Sequence, residues 1–365
     1  MPPTKPATLI EKMNEWATDH LPISFVQKIL FVHNLYIMVK SGLSLVEGLR
    51  ILSEQMDNKR LKKILSEIKR QVEKGRQLSE VLSEYQKIFP SIYVSMIAAG
   101  ETAGKMEAAL LQVNNQMKKS HELAARIKGA LIYPAVILVA MAGIGIEMVA
   151  FVLPKIIVMF NDFHAELPLP TRMLIWTVTT AEHYGLFIAI GLGAFIAFLV
   201  WLERKPRIRR TVHAFNLRLP IFGAIIKKIN LASFTLTLSS LLQSAIPIVE
   251  AVKITASVLG NIKYQEDLLA AAEALKKGEP LSAALNRSPE RFPPMAAQMI
   301  MVGEQTGELE QMLGELSEYY GDEVDNTMRN FSTIIEPVII LALGAAVAGI
   351  AVAVIMPMYS LAQSF

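Results

Sequence analysis

From Phe25 the apolar residues fall at Phe25, Ile29, Val32, Tyr36 and Val39. That three-to-four spacing is one face of a helix. Gly42 suits a left-handed cap that closes it, and Ser44-Leu45-Val46-Glu47 reads as a capping box opening the next helix. Further helices are predicted over about Lys59–Lys74, after Leu78, from Pro90 to about Ala103, and from Lys105 onward. A second stripe, Leu231, Phe234, Leu238, Leu241 and Ala245, opens a second series, with Pro247 in the helix-starting role. The alternation expected of strands is nearly absent. Each series predicts an antiparallel bundle of about six helices joined by short loops.

The two series are one pattern written twice. Gly100-Glu101-Thr102-Ala103-Gly104 returns 203 positions later as Gly303-Glu304-Gln305-Thr306-Gly307. At that offset Phe31 meets Phe234, Asn58 meets Asn261, Lys74-Gly75 meets Lys277-Gly278 and Leu78-Ser79 meets Leu281-Ser282. Phe89-Pro90 meets Phe292-Pro293, and Pro134 meets Pro337. A period this long is a domain duplication, not a solenoid repeat.

Uninterrupted apolar runs follow each bundle. Gly129 to Pro154 holds one charge, Glu147; His183 to Leu202 holds no formal charge; Pro337 to Phe365 holds none. Each exceeds the ~20 residues that cross a bilayer. Hydrophobic residues make up 52% of the chain and mean hydropathy is +0.38. The fold class is therefore all-α: a polytopic membrane protein with two duplicated cytoplasmic bundles and three transmembrane helices. The expected order is an N-terminal segment (1–23), bundle one (24–128), span one (129–154), an extracytoplasmic loop (155–182) and span two (183–202). Bundle two (203–333), span three (334–358) and an extracytoplasmic tail (359–365) complete it. No removable signal peptide is evident.

Net charge is only +3, but it is unevenly placed. Lys118, Lys119, Arg126 and Lys128 precede span one, Arg204, Lys205, Arg207, Arg209 and Arg210 follow span two, and Arg329 precedes span three. By the excess of positive charge on cytoplasmic flanks, the N-terminus and bundle two face the cytoplasm and the C-terminus faces out.

Candidate chemistry is sparse. There is no cysteine, which excludes disulfides and thiolate catalysis. Gly100 to Lys105 resembles a phosphate loop superficially, but it has three residues between its glycines, and Met106 follows the lysine where Ser or Thr is needed. The favoured reading is a tight helix corner. Gly104 and Gly307 sit where positive φ is needed, Gly100 and Gly303 sit where helices approach closely, and a partner-facing role stays open for Glu101 and Glu304. The six histidines show no ligand spacing, so no metal, cofactor or nucleic acid is expected. Span two carries Gly185, Ala189, Gly193 and Ala197 at four-residue spacing, a stripe that lets another helix approach. Glu147 inside span one is a functional candidate because a carboxylate in hydrocarbon is costly. Lys59, Arg60, Lys62, Lys63, Lys69 and Arg70 give one helix of bundle one a basic face, against Tyr264, Glu266, Asp267 and Glu273 in bundle two.

Taken together, these features resemble the inner-membrane platform family of type II secretion systems (protein F) and type IV pili. The residues that carry the resemblance are Phe234-Thr235-Leu236-Thr237-Leu238 through Ser244-Ala245-Ile246-Pro247-Ile248-Val249-Glu250-Ala251, Arg218-Leu219-Pro220-Ile221-Phe222-Gly223, Ile132-Tyr133-Pro134 and both Gly-Glu motifs. It covers nearly the whole chain from about residue 24. It implies a non-enzymatic protein of the inner membrane that couples a cytoplasmic assembly ATPase to pilin or pseudopilin subunits beside other machine components. A homo-oligomer in contact with lipid is expected, with Glu147 as candidate pilin contact and Lys62, Lys63, Lys69 and Arg70 as candidate ATPase-facing residues. The competing reading is an oligomeric transporter or channel subunit. Three spans offer such a path only Glu147. Copy two departs from copy one at Ala245, which replaces Gly42, and at Glu336, which replaces Tyr133.

Overall fold

The computed structural model describes residues 22–148 and 205–363, with isolated positions between them. Among the described residues every regular element is a helix. Copy one contains α1 (Phe25–Lys40), α2 (Leu45–Gln55), α3 (Lys59–Glu73), α4 (Leu78–Ser83), α5 (Ser91–Thr102) and α6 (Met106–Glu147). A short helix, α7 (Pro206–Asn216), precedes copy two. Copy two contains α8 (Phe222–Gln243), α9 (Ile248–Val258), α10 (Ile262–Lys276), α11 (Leu281–Leu285), α12 (Pro294–Thr306) and α13 (Leu309–Gln363). The starts of α9 to α13 each lie 203 positions after those of α2 to α6.

Local chemistry sets these ends. Ser24 accepts a hydrogen bond from the Gln27 amide while the Gln27 side chain accepts one from the Ser24 amide, a complete capping box. Asn58 and Asn261 cap α3 and α10 from equivalent positions. The box expected at Ser44 is half-formed. Ser44 caps the Glu47 amide at 3.2 Å, but the Glu47 carboxylate turns to Arg50 instead of back to the cap. The α1 stripe also shifts: Ile29, Phe31, Val32 and Leu35 are buried, whereas Phe25 stacks on His121.

Each bundle closes on an aromatic pair. Phe31 meets Phe89 at 5.8 Å, and Phe234 meets Phe292 edge-on at 5.4 Å. Tyr264 joins the second pair where copy one has Leu61, and both residues are fully buried. The turn after α1 has Gly42 at φ 85°; the matching turn after α8 holds Ala245 at φ 58°. A Cβ in the left-handed region costs roughly 1–2 kcal/mol, so copy two keeps the turn at a cost copy one avoids.

The chain divides into two compact units. One takes in the residues up to Ala124 together with Ile226–Asp322, so it contains the bundles of both copies. The other comprises Ala125–Ile225 and Glu323–Phe365. Three helices are long and apolar enough to cross a membrane: α6, α8 and α13. In α6 and α13 the apolar window is 6% and 12% buried, with Val139, Ile146 and Leu341 largely exposed. Exposed apolar surface of that extent, on helices long enough to cross a bilayer, is what a membrane-spanning helix presents. In α8 the window is 67% buried, which makes it a core helix of the second bundle. The expected span over 183–202 falls outside the described residues except at isolated positions.

Candidate functional site

The repeated Gly-Glu-x-x-Gly segment sits at the corner between α5 and α6 and again between α12 and α13. A Cβ on Gly100 would lie 2.2 Å from the Ala109 Cβ, and one on Gly303 would lie 2.8 Å from the Leu309 Cα. Only glycine lets the two helices approach this closely. Gly104 and Gly307 have φ of 66° and 79°, where glycine carries no steric penalty.

The glutamate between them reaches a different helix. Glu101 accepts hydrogen bonds from the Leu78 amide, from the Ser79 amide at 2.9 Å and from the Ser79 hydroxyl. Glu304 does the same with the Leu281 amide, the Ser282 amide at 3.2 Å and the Ser282 hydroxyl at 2.5 Å. Gln77 and Pro280, the N-cap residues just before α4 and α11, provide no side-chain cap. The carboxylate therefore supplies from 22 or 23 positions away what an Asp at the cap would supply locally. The residue pattern fits a structural clamp: two glycines fold the corner and the acid ties it to a third helix. The signal in the sequence is the joint recurrence of Leu-Ser with Gly-Glu at one offset.

The charged surfaces differ from the expected faces. On α3, Lys62 donates to the Glu54 carbonyl at 3.2 Å, Lys69 pairs with Glu73, and Arg70 pairs with Glu67. Lys63 and Arg60 also line a depression of about 740 Å³ together with Tyr85 and Lys87. The four candidates Lys62, Lys63, Lys69 and Arg70 thus share one side of α3, with a carbonyl or an acidic side chain beside three of them. The acidic counterpart in copy two is also corrected. Tyr264 lies in the core, Asp267 is held by Arg291, Glu266 pairs with Lys263, and Glu273 pairs with Lys276 and Lys253. The carboxylate of Asp267 beside Arg291 raises the arginine's pKa further, and burial pushes the Tyr264 phenol up.

The remaining candidates lie in the membrane-type unit. Pro134 falls inside α6 and Pro337 inside α13, and each removes one backbone donor from its helix. Glu147 is exposed at the C-terminal end of α6. Gly193 and Ala197 are exposed and Gly185 is half-exposed; Ala189 lies outside the described residues. Lys205 places its ammonium 4.4 Å from the centre of the Trp201 ring, within the range of a cation–π contact. Ile221 holds φ 66°, and a Cβ on Gly223 would lie 2.5 Å from the Leu217 carbonyl oxygen. Among the described residues no group of three His, Asp or Glu side chains is placed to hold a metal.

Within the bundle unit the two copies meet along a polar seam. Ser240 of α8 donates to the Gln116 side chain of α6 at 2.6 Å, and Gln112 donates to Gln243 at 2.5 Å. Helix α9 packs on α5 beside them. The contact joins the second half of bundle one to the first half of bundle two.

The fold and these corners define a class: membrane proteins built from a duplicated six-helix bundle, each copy running into an apolar helix. The family of type II secretion system (T2SS) protein F matches residues 31–154 and again 234–357. The type IV pilus assembly protein PilC of Myxococcus xanthus is 34% identical over 334 residues, 92% of this chain and 80% of that protein. PilC of Thermus thermophilus is 34% identical over 333 residues, covering 91% and 82%. The type II secretion system protein F of Vibrio cholerae is 33% identical over 328 residues, covering 90% and 80%. The chain belongs to the type II secretion system protein F family.

Proposed function

We propose that this protein is the inner-membrane platform of a type IV pilus or type II secretion-like machine. In this reading it couples a cytoplasmic assembly ATPase to the entry of pilin or pseudopilin subunits into a growing fibre. The observation that carries the reading is that each of the three boundaries between the two units falls inside one unbroken helix, α6, α8 or α13, and that α6 and α13 run on into exposed apolar segments. A displacement imposed on the bundles then has a continuous helix to follow into the lipid-facing segment. In this reading the bundles face the cytoplasm and the C-terminus faces outward, an orientation that the basic flanks support. The transporter or channel alternative has no comparable support from named relatives.

The ATPase surface in this proposal is α3 with the depression beside it. Reversing Lys62, Lys63, Lys69 and Arg70 to glutamate is expected to weaken binding of the cognate ATPase to the full chain in detergent by about tenfold or more, since each exposed pair contributes up to ~1 kcal/mol. Raising salt is expected to weaken the unaltered complex as well. A pull-down at low and high salt measures both, and undiminished binding by the reversed chain would rule out this surface.

A further inference from the structure

The seam between the copies is head-to-tail. It uses α5 and α6 of copy one against α8 and α9 of copy two. The equivalent surfaces, α12 and α13 of copy two and α1 and α2 of copy one, have no such partner within the seam. Their exposure shows it. Gln116 is 3% exposed at the seam, whereas its counterpart Tyr319 is 44% exposed. Ser240 is 7% exposed and its counterpart Ile37 is 45%. Ile246 is 6% exposed and its counterpart Leu43 is 38%. Ala98 and Ala99, which line the groove between the copies, are replaced in copy two by exposed Met301 and Val302.

The chemistry at these exposed positions differs from that of the seam in pairs, although Tyr319 also meets Tyr320, Lys40 lies over the Tyr36 ring and Glu315 accepts from Gln311. The polar contact of Gln116 with Ser240 corresponds to Tyr319 and Ile37, a matched apolar pair. The contact of Gln112 with Gln243 corresponds to Glu315 and Lys40, a matched charge pair, and both are exposed. Both pairs are complementary as they stand, apolar with apolar and acid with base.

We infer that a second copy of this chain docks head-to-tail on the first, its Ile37 and Lys40 meeting Tyr319 and Glu315 and repeating the contact already made within the chain. Such heterologous contacts extend from chain to chain instead of pairing a patch with itself. The apolar pair supplies burial, and the charge pair fixes register. The inference concerns only self-association and stands whether or not α3 binds an ATPase.

The chain has no cysteine, so introduced thiols read cleanly. Two differently tagged full-length chains, one Ile37→Cys and the other Tyr319→Cys, would be co-expressed and oxidised in membranes. A disulfide-linked species carrying both tags is expected, with none when both chains carry the same single substitution. Lys40→Cys with Glu315→Cys provides a second pair read the same way. Lys40→Glu in the Ile37→Cys chain is expected to lower the mixed cross-link about fivefold, and Glu315→Lys in the other chain is expected to restore it. Cross-linking of Ile37→Cys with itself as strongly as with Tyr319→Cys would overturn the head-to-tail mode. So would absence of the mixed species from both pairs when thermal unfolding in detergent shows the chains folded.

Discussion

Tyr133 and Glu336 stand at the same position of the two copies, 203 residues apart, and their side chains meet, phenol oxygen to carboxylate oxygen, at 3.5 Å. Each precedes the proline of its span. In the membrane-type unit the copies thus touch through equivalent residues, whereas in the bundle unit they touch through non-equivalent ones. A short bifunctional maleimide is expected to link Tyr133→Cys to Glu336→Cys within one chain, seen as a mobility shift of the monomer on a denaturing gel. Linkage only between chains would show that the two spans do not meet within one molecule.

Ala245 holds a left-handed turn that Gly42 holds in copy one. Ala245→Gly is expected to raise stability by about 0.5–1 kcal/mol, the relieved strain less the added freedom of the unfolded chain. Gly42→Ala is expected to lower it. Thermal unfolding of the full chain in detergent reads both, and shifts of the same sign would contradict the argument.

Glu101 caps α4 through two amides and one hydroxyl. Glu101→Ala is expected to cost about 2 kcal/mol, as a charge-assisted cap should. Ser79→Ala costs less, and the double variant costs less than the sum because the two share one interaction. Strict additivity in a double-mutant cycle would mean the carboxylate and hydroxyl act separately.

His33 buries its Nδ1 with no hydrogen-bond partner, while the equivalent position in copy two is the buried Leu236. An unpaired buried polar atom costs on the order of 1–3 kcal/mol. His33→Leu, which copies the residue the duplicate already uses, is expected to raise the unfolding midpoint. A lowered midpoint would show that the imidazole contributes packing that leucine cannot replace.

Glu147 is exposed in the apolar helix of the first copy, and its counterpart is Ile350. If it meets a pilin subunit leaving the bilayer, Glu147→Leu leaves the amount of protein unchanged and reduces fibre assembly. Immunoblotting and counts of surface fibres measure the two quantities. Normal fibre number would place this carboxylate at the lipid–water boundary with no part in assembly.

The helical architecture was readable because its determinants are local and stated twice. Asn58 and Asn261 mark helix starts, and the stripe at Leu231, Phe234, Leu238 and Leu241 is wholly buried. What escaped reading depends on residues far apart in sequence. The cap made by Glu101 needs α4 and α5 to be side by side, which no window of sequence contains. Tyr264 looked like surface because its neighbours are charged, yet its ring completes a core with Phe292 and its hydroxyl donates to the Arg291 carbonyl at 3.0 Å. Charge composition placed a basic face on α3, but side chains one turn away neutralise much of it. The seam is the extreme case: Gln112 and Gln243 are 131 positions apart, and nothing near either one announces the other.

Tethering changes what that seam must achieve. Two separate bundles would have to overcome the entropy of association at cellular concentration, whereas covalent linkage holds the partner at a high effective concentration whatever the expression level. A contact built from Gln112, Gln116, Ser240 and Gln243 can therefore be weak and still be permanently occupied. Fusion also fixes the ratio of the two halves at one to one. It frees each half from having to recognise itself, so Lys40 and Glu315 can carry opposite charges without either disturbing the bond that holds the molecule together.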